Sequence, residues 1–477
     1  MRSFPDGFRW GCGTSSYQIE GAWQAGGKGL SVWDAFAHTP GRVAHGHTGD
    51  VACDHYHRFR EDVALMADLG LKAYRFSISW PRVQPDGAGP GNADGLRFYS
   101  ELVDALLAHG IEPWVTLHHW DLPLALQVEH DGWLSPRLPG FFADYARLCF
   151  EHLGDRVRHW ITLNEPWVTA MLGHGRGIFA PGRVSTDEPY LAAHQMLRAH
   201  GAAAEVYRRD FQDRQGGVIG MANNCDWREP ASDAPEDVAA AQRALEFYLG
   251  WFADPLYTGD YPAVMRERLG DRLPRFSDED AARLRGSADF FGLNHYTSQL
   301  VAHHPGGDAR CEVNVNAGIT ADQDVVFSAD PGWEVTDMGW PIVPGGCRKL
   351  LGWISERYGR PPIVITENGC ATPDRLVDGR VADPGRIAYL RGYLRAVHAA
   401  MADGADVQGY FVWSLLDNFE WASGYDKRFG IHYVDYESLA RVPKDSARWY
   451  RGVIARNGLE RPVPEAAAAP EPATAER

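Results

Sequence analysis

Cysteine is scarce and scattered, with seven residues at positions 12, 53, 149, 225, 311, 347 and 370 and no CxxC pair. An odd, unclustered set argues against a disulfide framework or a cysteine-based zinc site and fits reduced thiols. Positive charge is in deficit: 47 Lys and Arg stand against 63 Asp and Glu, a formal charge of −16. That balance argues against nucleic acid or an anionic membrane as a partner. No long uncharged apolar run occurs, and Met1–Asp6 has no apolar leader-like core. The expectation is a cytoplasmic chain that is neither exported nor inserted in a membrane.

What the chain does have is aromatic side chains: 17 Trp, 19 Tyr and 20 Phe, 12% of 477 residues. Part of that surplus packs a core, and tryptophan also suits a pocket that stacks on sugar rings. Length alone does not set the number of domains, since single α/β barrels with insertions reach this size.

The stretch around which the chain is organised is Pro361-Pro362-Ile363-Val364-Ile365-Thr366-Glu367-Asn368-Gly369. A short β-branched run behind proline reads as a strand buried on both faces, and Asn-Gly predicts a turn at its end. Glu367 then stands on the C-terminal lip of a buried strand, where an α/β barrel keeps its chemistry. Arg158-His159-Trp160-Ile161-Thr162-Leu163-Asn164-Glu165-Pro166 repeats the plan: an apolar strand, a polar residue, a glutamate and a breaker. Two carboxyls on two strand lips are the minimal equipment for cleaving an acetal, one as proton donor and one as nucleophile or base.

The same strand–helix alternation runs along the chain. Strands are predicted at 8–14, 71–79, 111–117, 158–164, 217–223, 288–296, 363–365 and 407–413. Between them lie predicted helices at 55–69 (capped by Asp54 and stopped by Gly70), 94–108, 138–152, 188–209, 235–252, 344–357 and 386–402. Eight such units predict a single (β/α)8 barrel over residues 1–461, with elaborated βα loops at its C-terminal face. The segment up to about Val51 and the forty residues before Met338 read as long loops over a pocket. Residues 462–477, rich in Ala, Pro and Glu, read as a disordered tail. The strand lips bring together Gln18, Arg75, His119, Asn164 with Glu165, Asn223, Asn294 with Tyr296, Glu367 and Trp413. Chance places one or two such groups on one barrel face, and is poor at placing one on nearly every strand.

Thr-Leu-Asn-Glu-Pro and Ile-Thr-Glu-Asn-Gly resemble the signature motifs of the family 1 glycoside hydrolases, the β-glucosidase family, and the resemblance extends over roughly residues 4–458. It implies Glu165 as acid/base and Glu367 as nucleophile, with Arg75 and Tyr296 as the nucleophile's neighbours. It implies Gln18, His119, Asn164 and Glu420 as holders of sugar hydroxyls, joined by Asn294 at its strand lip. Trp413 and Trp421 match a stacking floor, and Trp167 and Trp340 an aglycone rim. Thioglucoside-cleaving relatives carry Gln where Glu165 stands, and phospho-glycosidase relatives usually lack an acid at the place of Glu420. Keeping both implies unphosphorylated O-glycosides.

The resemblance therefore implies a retaining exo-β-glycosidase without cofactor or metal, acting on small β-linked glucosides, with galactosides and fucosides as side substrates. It also implies a place in cellulose and other polysaccharide breakdown. A transglycosylase on the same site, a non-catalytic sugar-binding protein and a metal-dependent hydrolase remain the alternatives. Several residues have plainer readings: Arg75 as a structural ion pair, and Trp413 and Trp421 as core. His118 and His119 are neighbours on a strand and point to opposite faces, so they cannot share an ion. His55-x-His57 opens a helix and reads as structural.

Deleting residues 463–477 is expected to leave melting temperature and activity nearly unchanged, because that composition has nothing to pack. A loss of several degrees in calorimetry would show that the segment docks.

Overall fold

The computed structural model describes residues 2–310 and 317–460. Eight strands form its centre: β1 (Arg9–Gly13), β2 (Ala73–Ser77), β3 (Glu112–His118), β4 (His159–Asn164), β5 (Val218–Asn224), β6 (Phe290–Asn294), β7 (Ile363–Asn368) and β8 (Val407–Trp413). Each pairs in parallel with its neighbours in chain order, and β8 returns to β1, so the sheet closes into a barrel. A helix follows every strand: α1 (His55–Leu69), α2 (Ala93–Ala108), α3 (Leu138–Leu153), α4 (Glu188–Asp210), α5 (Pro235–Leu245), α6 (Pro344–Tyr358), α7 (Pro384–Ala402) and α8 (Asp445–Arg456). The predicted eightfold βα order is what the structure shows. The tail at 462–477 lies outside the described residues.

The barrel is filled rather than hollow. Ala73, Trp114, Ile161, Ala222, Phe290, Val364 and Phe411, one from each of seven strands, form a closed cluster inside it. The eighth strand contributes Gly11, where a Cβ would come within 2.4 Å of the Phe411 ring. A bulky interior on one side thus demands glycine on the other.

Three local expectations change. Asp54 does not cap α1 through its side chain: its own backbone is left-handed, and its carboxylate accepts from His57 Nδ1 at 2.6 Å instead. The segment before Val51 holds a short helix, Val32–Ala37, closed by a reciprocal Ser31–Asp34 capping box. Part of the presumed loop after β6 is strand: Ser298–His303 pairs with Trp227–Pro230 and with Val325–Ser328. These pieces are short and polar on one side, so neither periodicity nor length betrays them.

Behind the lips of β7 and β8 lies a chain of buried charges. Arg386 bonds Asp374 and Asp383, and Lys444 joins Asp374 to Asp417, all with side chains at most 1% exposed. Arg428 closes the chain on Asp417 at 2.7 Å. This ties the segment after Glu367 to the segment that leads into Glu420. Arg386→Met should lower unfolding free energy by about 3–5 kcal/mol, because it leaves a buried carboxylate unpaired. Urea titration measures it; a loss below 1 kcal/mol would mean that the cluster is already hydrated.

Candidate active site

Alternation along a strand would turn Glu367 away from the barrel axis, since Val364 and Thr366 face inward. The ladder is interrupted there: register shifts separate Ile365 from Glu367 against β6 and Ile365 from Asn368 against β8. A matching shift separates Ile161 from Asn164 just before Glu165. Such irregularities at strand ends re-aim side chains, and here they turn both carboxyls toward the axis. Glu165 takes a left-handed backbone, φ 44°, as do Trp120 (φ 76°) and Trp421 (φ 49°). Gly369 is required for space: a Cβ there would lie 1.8 Å from the Trp413 carbonyl oxygen. Its expected role in a turn gives way to close packing of the β7 and β8 lips.

Arg75 lies fully buried beneath Glu367. Its guanidinium donates to Glu367 Oε1 at 2.5 Å, to Asn164 Oδ1 at 2.5 Å, to the Thr366 carbonyl at 3.1 Å and to Thr116 Oγ1 at 3.3 Å. The Tyr296 hydroxyl donates to Glu367 Oε2 at 2.6 Å. Asn294 Nδ2 donates to Glu165 Oε1 at 2.7 Å and to Asn164 Oδ1 at 3.0 Å. Asn164 in turn meets His119 Nε2 at 2.9 Å.

The two carboxyls therefore differ in charge partners. Burial, and then the nearby charge of Glu367, push Glu165 well above the usual carboxyl range. Burial also raises Glu367, but the Arg75 cation and the Tyr296 hydroxyl pull it back. Glu165 is thus the group that holds a proton and Glu367 the one that ionises first. A third carboxyl, Glu420, has no cation beside it among the described residues and accepts from Gln18 Nε2 at 3.5 Å. Burial and the charge of Glu367 push it up to about 8.

These groups surround a cavity of about 210 Å³ at the C-terminal face of the barrel. Of the residues singled out in the sequence, Glu165, Glu367, His119, Asn294, Tyr296, Trp340, Trp413, Glu420 and Trp421 line it. Arg75, Asn164 and Gln18 stand one layer behind, bonded to residues that do. Trp167 does not line the cavity directly: it is 2% exposed and packs edge-on, at 4.5 Å, against Tyr248, which does. On β5 it is Asn224, one residue beyond the expected lip residue Asn223, that lines the cavity, together with Asp226 and Tyr248. Sequence reading also missed Trp120, Val168, Leu172, Phe179, Met338 and Phe429 on the walls. Val168 and Leu172 sit on the short helical stretch that follows β4, and the others on irregular segments, where no period marks an inward face. His118 points away between Trp80 and Trp133, while His119 lies beside Trp413 and Trp421. His55 bonds Asp62 at 2.8 Å, a structural contact. No cluster of three metal-ligating side chains and no helix long and apolar enough to cross a membrane occurs among the described residues.

A barrel with two buried carboxyls of unequal protonation, set in a tryptophan-walled cavity sized for a sugar, is a glycosidase. The model of glycosyl hydrolase family 1 matches residues 1–459, and the chain belongs to that family. It is 50% identical over 458 residues to β-glucosidase 4 of Oryza sativa, covering 94% of each chain. It is 46% identical to β-glucosidase A of Thermotoga maritima, covering 96% of this chain and 99% of that one. Among solved structures, a family 1 β-glucosidase from Thermotoga maritima superposes with a TM-score of 0.90 at 45% identity, covering 96% and 99% of the two chains. A rice Os3BGlu6 β-glucosidase mutant in a covalent complex with Glc superposes with a TM-score of 0.89 at 45% identity, covering 94% and 98%.

A carbon-13 titration that resolves Glu420 is expected to show a midpoint near 8. Glu367→Gln should lower that midpoint, because a neighbouring negative charge that disfavours ionisation is gone. An ordinary carboxylate midpoint would contradict the enclosure described above.

Proposed function

We propose that the protein is a retaining β-glucosidase that releases the terminal β-linked glucose of small O-glycosides through a covalent glycosyl-enzyme. The observation that carries this reading is the unequal pair: Glu367 held by Arg75 and Tyr296, and Glu165 buried with Asn294 as its hydrogen-bond donor. A carboxylate with a cation beneath it and a carboxyl that keeps its proton are the nucleophile and the acid of a double displacement.

In the first step an oxygen of Glu367 attacks the anomeric carbon, the bond to the leaving oxygen breaks, and the proton of Glu165 passes to that oxygen. In the second step Glu165 takes a proton from water, the water oxygen attacks the anomeric carbon from the β face, and Glu367 leaves as carboxylate. Two inversions return the β configuration. His119 and Glu420 are assigned to the sugar's hydroxyls, supported from behind by Asn164 and Gln18, and Trp413 and Trp421 to its apolar face. The apolar wall of Val168, Leu172, Met338 and Trp340 is left for the aglycone. Relatives named β-glucosidase support glucose as the sugar. Service in cellulose breakdown, in the cytoplasm, is the physiological setting we assign.

Glu367→Ala should be nearly inactive, and azide should restore turnover by attack from the vacated side to give the α-glycosyl azide. Glu165→Ala should still complete the first step with a dinitrophenyl leaving group, which needs no proton. Azide should then intercept the glycosyl-enzyme and give the β-azide. Proton NMR of the anomeric products decides: the same anomer from both variants would sink the assignment.

A further inference from the structure

Helix α7 presents Tyr389 and Tyr393 one turn apart, rings 4.3 Å from centre to centre, beneath the lips of β6 and β7. Their two hydroxyls donate to one main-chain carbonyl, that of Tyr296, at 2.8 and 2.9 Å. A carbonyl oxygen has two lone pairs, so this one is saturated. Tyr389 Oη also accepts from Asn368 Nδ2 at 3.1 Å, and the same amide donates to the His295 carbonyl at 2.6 Å. The Tyr410 hydroxyl donates to Asn368 Oδ1 from the other side. Tyr389, Tyr393, Tyr410 and Asn368 are at most 2% exposed. Phenylalanine would fill the same space in this core, so packing does not account for three hydroxyls converging here. What they hold are Tyr296, which donates to Glu367, and Asn368, which follows Glu367 in the chain.

We propose that Tyr389 and Tyr393 are positioning residues: they lock the Tyr296 backbone so that its hydroxyl stays on Glu367 through the reaction. The inference rests on the reading of Glu367 as nucleophile. Without the lock, the Tyr296 loop relaxes and its bond to Glu367 lengthens. That bond favours the ionised carboxylate, so losing it moves the acid limb of kcat/KM to higher pH. Arg75, Glu165 and Glu420 also face Glu367, and these substitutions touch none of them.

The test is a double-mutant cycle on an aryl β-glucoside. Tyr389→Phe should lower kcat/KM about three- to tenfold, the scale of one net hydrogen bond, mostly through kcat. Its acid limb should shift upward. In a Tyr296→Phe background the same substitution should change neither quantity, because the group it acts through is gone. Independent, multiplicative losses in the two backgrounds, or an unmoved acid limb, would overturn the proposal. Should Tyr389→Phe fail to fold, Tyr393→Phe gives the same test while leaving Asn368 its partners. An inactive wild type, or azide products of one anomer, would take down the functional reading and this inference with it. An active wild type with additive losses takes down the positioning role alone.

Discussion

The contact on which the rest depends is the buried pair of Arg75 and Glu367, 2.5 Å apart. A guanidinium cannot give up its proton in a protein, so burying it at the bottom of a barrel obliges the fold to supply a negative charge. Four acceptors surround it, and only Glu367 among them is ionisable. Removing either partner of such a pair leaves an uncompensated charge and costs about 3–5 kcal/mol. The pair thus fixes the protonation of Glu367, and through repulsion it also fixes that of Glu165. One structural necessity sets both states that a double displacement needs.

Holding that geometry takes a rigid frame, and the barrel spends local strain on it. The ladder breaks its register just before each catalytic candidate, on β4 and on β7. Three pocket residues other than glycine hold left-handed backbones: Trp120, Glu165 and Trp421. Each such conformation costs on the order of 1 kcal/mol and persists only where the surroundings over-determine it. Those surroundings are the filled interior, the buried charges behind β7 and β8, and the packing of Gly369 against the Trp413 carbonyl.

The barrel was legible because its strands are short apolar runs closed by breakers, and most of its helices are followed closely by glycine. The limits of α1 at His55 and Leu69 come straight from that pattern. The two glutamates were legible for the same reason, each standing where an apolar strand meets a breaker. What alternation cannot reveal is where a ladder ends, and the direction of a lip side chain depends on that. Asn224 rather than Asn223 faces the cavity on this account. Trp167, next after Pro166, packs on the wall residue Tyr248 instead of forming the wall itself. Val168 and Leu172 lie on a helical stretch too short to show a period and Phe179 and Met338 on irregular segments, so only the fold assigns them to the pocket.

Glu165, Glu367 and Glu420 share one cavity with the Arg75 guanidinium beneath it, and burial disfavours ionising all three together. The protons distribute themselves by distance from Arg75. Glu367 touches it and loses its proton first. Among the described residues, Glu165 reaches it through Asn294 and Asn164, and Glu420 accepts from Gln18. A neutral sugar does not disturb this order, which is why an overall charge of −16 is no obstacle to binding one. The order would be disturbed by moving the cation. A basic residue placed beside Glu165 would favour its carboxylate and strip the acid of its proton, with every distance in the site unchanged. The division of labour between two chemically identical side chains is therefore written in the placement of a third residue, on a strand that neither of them occupies.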